Sequence, residues 1–228
     1  MSIRKTASIE ILADAAITDR RDGTVLAIGS KIHQPPGIVG VVVGIGNAGF
    51  GRTVAAVGAG MCQNFDGLLE HFEAVLAYVD AQFGQLVPLN ETYYAVELFV
   101  AGWSASRNRP ETYHLVRHQL YPETAERCGM LDPTLPLFGR GPGIDGPCGY
   151  ALRRRDRENI DLATEGLVII EAARETKELL PPLNVFEGYS VGGFCELATI
   201  TPLAVERRIV RRWPDEVGRA IELRRSGG

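Results

Sequence analysis

Residues 15–49 read AAITDRRDGTVLAIGSKIHQPPGIVGVVVGIGNAG, and the fold turns on this stretch. Asp22-Gly23 stands between two alternating apolar runs, the strongest short-range signal for an antiparallel hairpin. Pro35-Pro36-Gly37 turns the chain. IVGVVVGI follows, a near-continuous apolar run that reads as a third strand buried on both faces. Gly44, Gly46 and Gly49 then spell G-x-G-x-x-G, the fingerprint of a dinucleotide-binding turn. That turn also needs a helix opening at the third glycine, a second parallel strand, and an acidic residue at that strand's end about 20 residues on. Asp66 lies near that distance but at the start of a helical pattern. A hairpin also precedes the glycine strand, where a Rossmann unit would begin. The glycines read more simply as places where backbones approach closely.

Outward from this stretch, SIEIL (8–12) alternates like a strand. In NFDGLLEHFEAVLAYVDAQF (64–83), Leu68, Leu69, Phe72, Val75, Leu76 and Val79 recur at helical spacing, with Asn64 or Asp66 as cap. GFGRTVAAVGAGM (49–61) is ambiguous. TYYAVELFVAGW (92–103) and ETYHLVRHQLY (111–121) read as a strand pair across SASRNRP. Residues 129–149, rich in Gly and Pro, read as a long loop. ATEGLVIIEAARETKELL (163–180) predicts an amphipathic helix stopped by Pro181-Pro182, VGGFCELATITP (191–202) a late strand, and PDEVGRAIELRR (214–225) a short C-terminal helix. The order predicts one domain spanning 1–228, of α+β type, in which strands pair with neighbours and helices come in blocks.

Composition removes several classes of function. With 24 Lys and Arg against 28 Asp and Glu, the net charge is -4, which gives no pull towards nucleic acid or an anionic membrane. The most apolar window is broken by glycines and too short to span a bilayer. Cys62, Cys128, Cys148 and Cys195 form no C-x-x-C pair and read as reduced thiols of a cytoplasmic protein. MSIRKTASIEIL lacks the apolar core of a signal peptide. His114 and His118 lack the Glu of a zinc helix motif. Gly102-Trp103-Ser104-Ala105-Ser106 approaches a nucleophile elbow but lacks the final glycine and a following helix. The arginines at 153–155, 207, 208, 211 and 212 are interleaved with acids and read as solvated faces or salt bridges between subunits. No metal and no cofactor is expected.

One ordered set remains: Ser2, Asp19-Arg20 at a strand end, Lys31-Ile32-His33 at the next, then the glycine loop. A hydroxyl at a free N-terminus can use its own α-amine as base, and that amine has an ordinary pKa of about 8. A nearby Lys31 would lower it, Asp19 would hold the lysine charged, and glycine-loop N–H groups would hold an oxyanion.

In these residues the chain resembles the proteasome β-subunit and its bacterial ATP-dependent protease relative, both N-terminal nucleophile hydrolases. The opening segment 15–49, the central pair ELFVAGW with TYHLV, and the late strand VGGFCELATITP each have counterparts there, in the same order. The resemblance implies a four-layer αββα sandwich, a homo-oligomer built of rings, and a peptide or small amide as substrate. By position it makes Asp19 the family's aspartate and Lys31 its lysine, and puts Gly44 or Gly46 near the oxyanion glycine. Ser2 becomes the nucleophile once Met1 is removed. FGRGPGIDG (138–146) departs from the family, with Arg140 and Pro142 where a Gly-Ser-Gly-like loop is expected. Two other readings stand beside hydrolysis: a catalytically inactive proteasome-like subunit serving assembly or binding, and a nucleotide-binding enzyme using the glycine loop.

Overall fold

The computed structural model describes residues 1–19, 21–46, 48–86, 96–117, 131–134, 137–139, 156–179 and 187–223. In chain order the strands and helices begin with β1 (Ser2–Arg4), β2 (Ile9–Asp14), β3 (Ala16–Thr18), β4 (Val25–Ile28), β5 (Ile32–His33) and β6 (Gly40–Gly46). Three helices follow, α1 (Ala48–Met61), α2 (Phe65–Glu70) and α3 (Phe72–Leu86). Then come β7 (Val96–Ser104), β8 (Arg109–Arg117), β9 (Leu131–Pro133) and β10 (Leu137–Phe138). A π-turn at Leu162–Gly166 leads into α4 (Leu167–Arg174). The chain continues through β11 (Glu178–Leu179), β12 (Glu187–Gly188), β13 (Phe194–Ile200) and β14 (Val205–Arg212).

Two five-stranded sheets carry the fold, in the orders β10-β1-β2-β13-β14 and β5-β6-β7-β8-β9, and every pairing in them is antiparallel. The apolar run of β6 divides by alternation. Val41 and Val43 face Ile9 and Ile11 of β2 and Ala198 and Ile200 of β13, while Val42 faces the helices. That two-sided burial is why the run has no polar positions. On the helix side, Val42, Leu98, Val100 and Leu115 pack against Phe50 and Val54 of α1, Phe65 and Leu68 of α2, and Phe72 and Val75 of α3. On the outer face of the first sheet, Ile3, Leu12, Cys195 and Leu197 pack against Leu162, Ile169, Ile170 and Ala173.

The β3–β4 hairpin, the β7–β8 pair and the α2–α3 region follow their sequence signals, and Asn64 caps α2 by accepting from Gly67 N at 2.8 Å. The ambiguous segment is helix α1. Its glycine seam explains the choice: a Cβ on Gly51 would lie 3.0 Å from the backbone of Gly44, so helix and strand touch where neither has a side chain. Phe65 likewise lies flat on the cross-strand pair Gly40 and Gly102; a Cβ on Gly102 would meet its ring at 2.2 Å.

Two expectations are corrected. The helix expected to run to Leu180 stops at Arg174, and Glu178–Leu179 pairs with Glu187–Gly188 instead. Residues 214–223 form no helix; they return to the β3–β4 hairpin, where Val25 N donates to Arg219 O at 2.9 Å and Ile221 packs on Ala16 and Val25. The β6–α1 unit is not followed by a parallel strand. β7 runs antiparallel to β6. Asp66 accepts from Ser106 N (2.9 Å) and Arg107 Nη2 (3.0 Å), tying down the β7–β8 turn. Among the described residues the crossover that a dinucleotide turn requires is therefore missing.

Candidate active site

The first residues form a hairpin with β2. Ser2 pairs with Ile11 on one side and Phe138 on the other and is 3 % exposed. Met1 extends this ladder: its amine donates to Leu12 O at 2.8 Å and its carbonyl accepts from Leu12 N at 2.8 Å. The amine lies inside the molecule, although the residue as a whole is partly exposed. Burial pulls its pKa down from 8.0 to about 6; Cys195 and Asp14 oppose that fall and Lys31 adds to it.

Lys31 reaches Asp14, not Asp19. Its Nζ donates to Asp14 Oδ1 at 2.6 Å. The other carboxylate oxygen accepts from Ala16 N at 3.2 Å and Gly192 N at 3.1 Å. Asp19 instead sits at the tip of the β3–β4 hairpin. It accepts from Arg21 N and from the Arg21 guanidinium, whose Nη2 lies at 2.6 Å, and those bonds hold its carboxyl down at about 2. The expected meeting of Lys31 with Asp19 is thus corrected to one with Asp14, and the amino terminus feels the charges of both Asp14 and Lys31. The physical reason is where β2 ends. It pairs with β13 as far as Asp14, so Asp14 stays at the end of the sheet beside Gly192, while the chain runs on five residues to the hairpin tip at Asp19.

Gly46 closes β6 opposite Val96 with φ 97°, a left-handed conformation that suits glycine at the turn into α1. Gly44 N donates to Lys31 O at 3.4 Å, which lays the start of β5 along the glycine strand. Next to Lys31, Ser30 Oγ donates to Glu196 Oε2 at 2.5 Å and accepts from Arg207 Nη2 at 2.8 Å. Arg207 also grips Glu196 Oε1 at 2.8 Å, so this arginine is an ion-pair partner within the chain. His33 lies against α1. Burial, then Arg207 and Arg52, lower its proton affinity, and Glu196 partly offsets them.

The other sequence candidates are structural. Ser104 Oγ accepts from Arg107 N at 3.1 Å within a tight turn between two strands, with no helix after it. His114 Nε2 lies 2.7 Å from Glu97 Oε2 between the sheets. His118, Cys128, Arg140, Pro142, Cys148 and Arg153 to Arg155 lie outside the described residues. Among the described residues no group of His, Cys, Asp and Glu is placed to hold a metal ion, and no helix is long and apolar enough to cross a membrane. Cys62 and Cys195 are buried free thiols, and burial beside Asp14 pushes Cys195 up to about 12.

Two features were absent from the sequence reading. One is Asp14 itself. The other is the turn Val191–Gly193, which holds Asp14 from below and is in turn held by Arg174 and Asp215. No protein-family model and no curated protein matches the chain.

Proposed function

We propose that the chain is a proteasome-like N-terminal nucleophile protein, a four-layer αββα sandwich that hydrolyses a peptide or small amide bond through Ser2 after loss of Met1. The observation that carries this reading is the Lys31–Asp14 ion pair beside the buried amino terminus. It supplies the lysine and carboxylate that the chemistry needs, with Asp14 in place of Asp19. The three cores support the layer order: helices α1 to α3 on one sheet, sheet on sheet, and α4 on the far side. In the reaction, Ser2 Oγ attacks the amide carbonyl and its proton passes to the Ser2 amine. That proton then goes to the leaving amine, and water releases the acyl group from Oγ. The Lys31 ammonium keeps the amine unprotonated and ready to accept. Gly46, at the mouth of the glycine turn, is the backbone donor proposed for the oxyanion. By the same resemblance the working form is a homo-oligomer, read out by native mass.

A second reading, the catalytically inactive subunit, is favoured by one observation. Ser2 is paired on both sides, and the amine before it is bonded to Leu12 O. Intact mass separates the two. Retained Met1 refutes the hydrolytic reading. With Met1 lost, Ser2→Ala should abolish turnover of a fluorogenic peptide and keep the thermal midpoint; unchanged turnover refutes it equally.

A further inference from the structure

Behind Asp14 lies a connected set of buried polar groups that the hydrolytic scheme does not use. Arg174, at the end of α4, is 6 % exposed. Its Nη1 donates to Asp215 Oδ2 at 2.8 Å and its Nη2 to Asp215 Oδ1 at 2.6 Å, a two-pronged pair. Nη1 also donates to Val191 O at 2.8 Å, and the guanidinium lies 5.1 Å from the Trp213 ring centroid. Asp215 Oδ2 accepts from Gly193 N at 2.7 Å, and Trp213 N donates to Gly193 O at 2.9 Å. The turn between Arg174 and Asp14 has no slack. Gly193 has φ 75°, and a Cβ there would meet Ile28 at 2.8 Å. A Cβ on Gly192 would meet Asp215 Oδ2 at 2.5 Å and Arg174 Nη1 at 2.8 Å. On its far side Gly192 N donates to Asp14 Oδ2, and Gly192 O accepts from Ala15 N (3.1 Å) and Ala16 N (3.0 Å).

We propose that the Arg174–Asp215 pair is a positioning device for the Lys31 ammonium, acting through the Gly192–Gly193 turn and the Asp14 carboxylate. The inference rests on the hydrolytic reading for its use, and on this geometry alone for its existence. Asp215 fixes the turn, the turn presents its N–H to one oxygen of Asp14, and the other oxygen is thereby aimed at Lys31. A buried ion pair contributes little net stability against an apolar replacement of the same shape. Directing a chain of hydrogen bonds to a charged side chain is a role an apolar pair could not fill.

The test uses the full chain labelled with nitrogen-15. It contains three lysines, Lys5, Lys31 and Lys177, so the side-chain ammonium signals are few and assignable. In the unaltered protein, the Gly192 amide and the Lys31 ammonium should shift along one common curve as the pH is lowered, while Lys5, paired with Glu10, follows its own. In Asp215→Asn, solvent exchange of the Lys31 ammonium relative to that of Lys5 should rise about twofold or more, the low end of coupling within one network. Arg174→Lys, which keeps one charge on Asp215, should restore part of the protection. A Gly192 amide that does not follow the Lys31 curve overturns the proposal, and so does an unchanged Lys31 in folded Asp215→Asn. If that variant does not fold, Arg174→Lys decides alone, and a Lys31 exchange unchanged from the unaltered chain overturns the proposal. Coupled signals in a chain that cleaves no amide sustain the network and overturn the hydrolytic reading. Cleavage with uncoupled signals does the reverse.

Discussion

Replacing Arg174 by methionine keeps the apolar stem of the side chain and removes its guanidinium. Three hydrogen bonds go, two to Asp215 and one to Val191 O, together with the stacking on Trp213. What remains is an Asp215 carboxylate at 3 % side-chain exposure whose one backbone donor is Gly193 N. Removing one partner of a buried pair strands the other charge and costs about 3–5 kcal/mol. With a urea slope of about 3 kcal/mol/M, the unfolding midpoint should fall by about 1–1.7 M at unchanged slope. The double variant Arg174→Met with Asp215→Asn should recover about 2 kcal/mol or more of this. The amide still accepts from Gly193 N, can donate to the freed Val191 O, and leaves no charge behind. A single-variant cost below about 1 kcal/mol, or a double variant no better than the sum of its parts, would refute this account of the clamp.

Three further outcomes are expected. Gly102→Ala places a methyl 2.2 Å from the buried Phe65 ring and should destabilise by about 1–3 kcal/mol in urea; Gly29→Ala, with open space around it, is the control that should not. The Met1 amine, lowered from 8.0 to about 6, binds a proton in the unfolded chain but not in the folded one between those values. Stability should therefore rise by about 2–3 kcal/mol from pH 6 to pH 8, and be lost again as pH falls through 6. N-terminal acetylation should abolish that part of the pH dependence. Cys195, buried with its thiol pushed up to about 12, should resist iodoacetamide at pH 8 in the folded protein and react readily in urea; rapid native labelling would contradict its placement.

Elements whose pattern is local were legible in the sequence. The Asp22-Gly23 hairpin, the two-sided β6 run and the Asn64-capped helices each depend on residues a few positions apart. Elements defined by distant partners were not. VERRIVRR forms edge strand β14, yet most of its residues are exposed and four are arginines, so no apolar alternation marks it. PDEVGRAIELRR has helix-like charge and spacing, but tertiary pairing with Val25 and the buried contact of Ile221 override it. The same cause moved the candidate site. Asp14 and Asp19 both end apolar runs in the sequence. Only the pairing of β2 with β13, from the far end of the chain, shows which of them meets Lys31.

The segment Trp213–Ile221 closes on the β3–β4 hairpin and on the turn beneath Asp14, so the first strands wait for residues about two hundred positions later. At ordinary synthesis rates that wait is about 10–40 s. Throughout it, the nascent chain can form its glycine strand and its helices but not the support under Asp14 and Lys31. A ribosome that stalls before residue 213 therefore leaves the turn beneath Asp14 without its Asp215 and Trp213 contacts, and that support forms only once Trp213–Ile221 has been made.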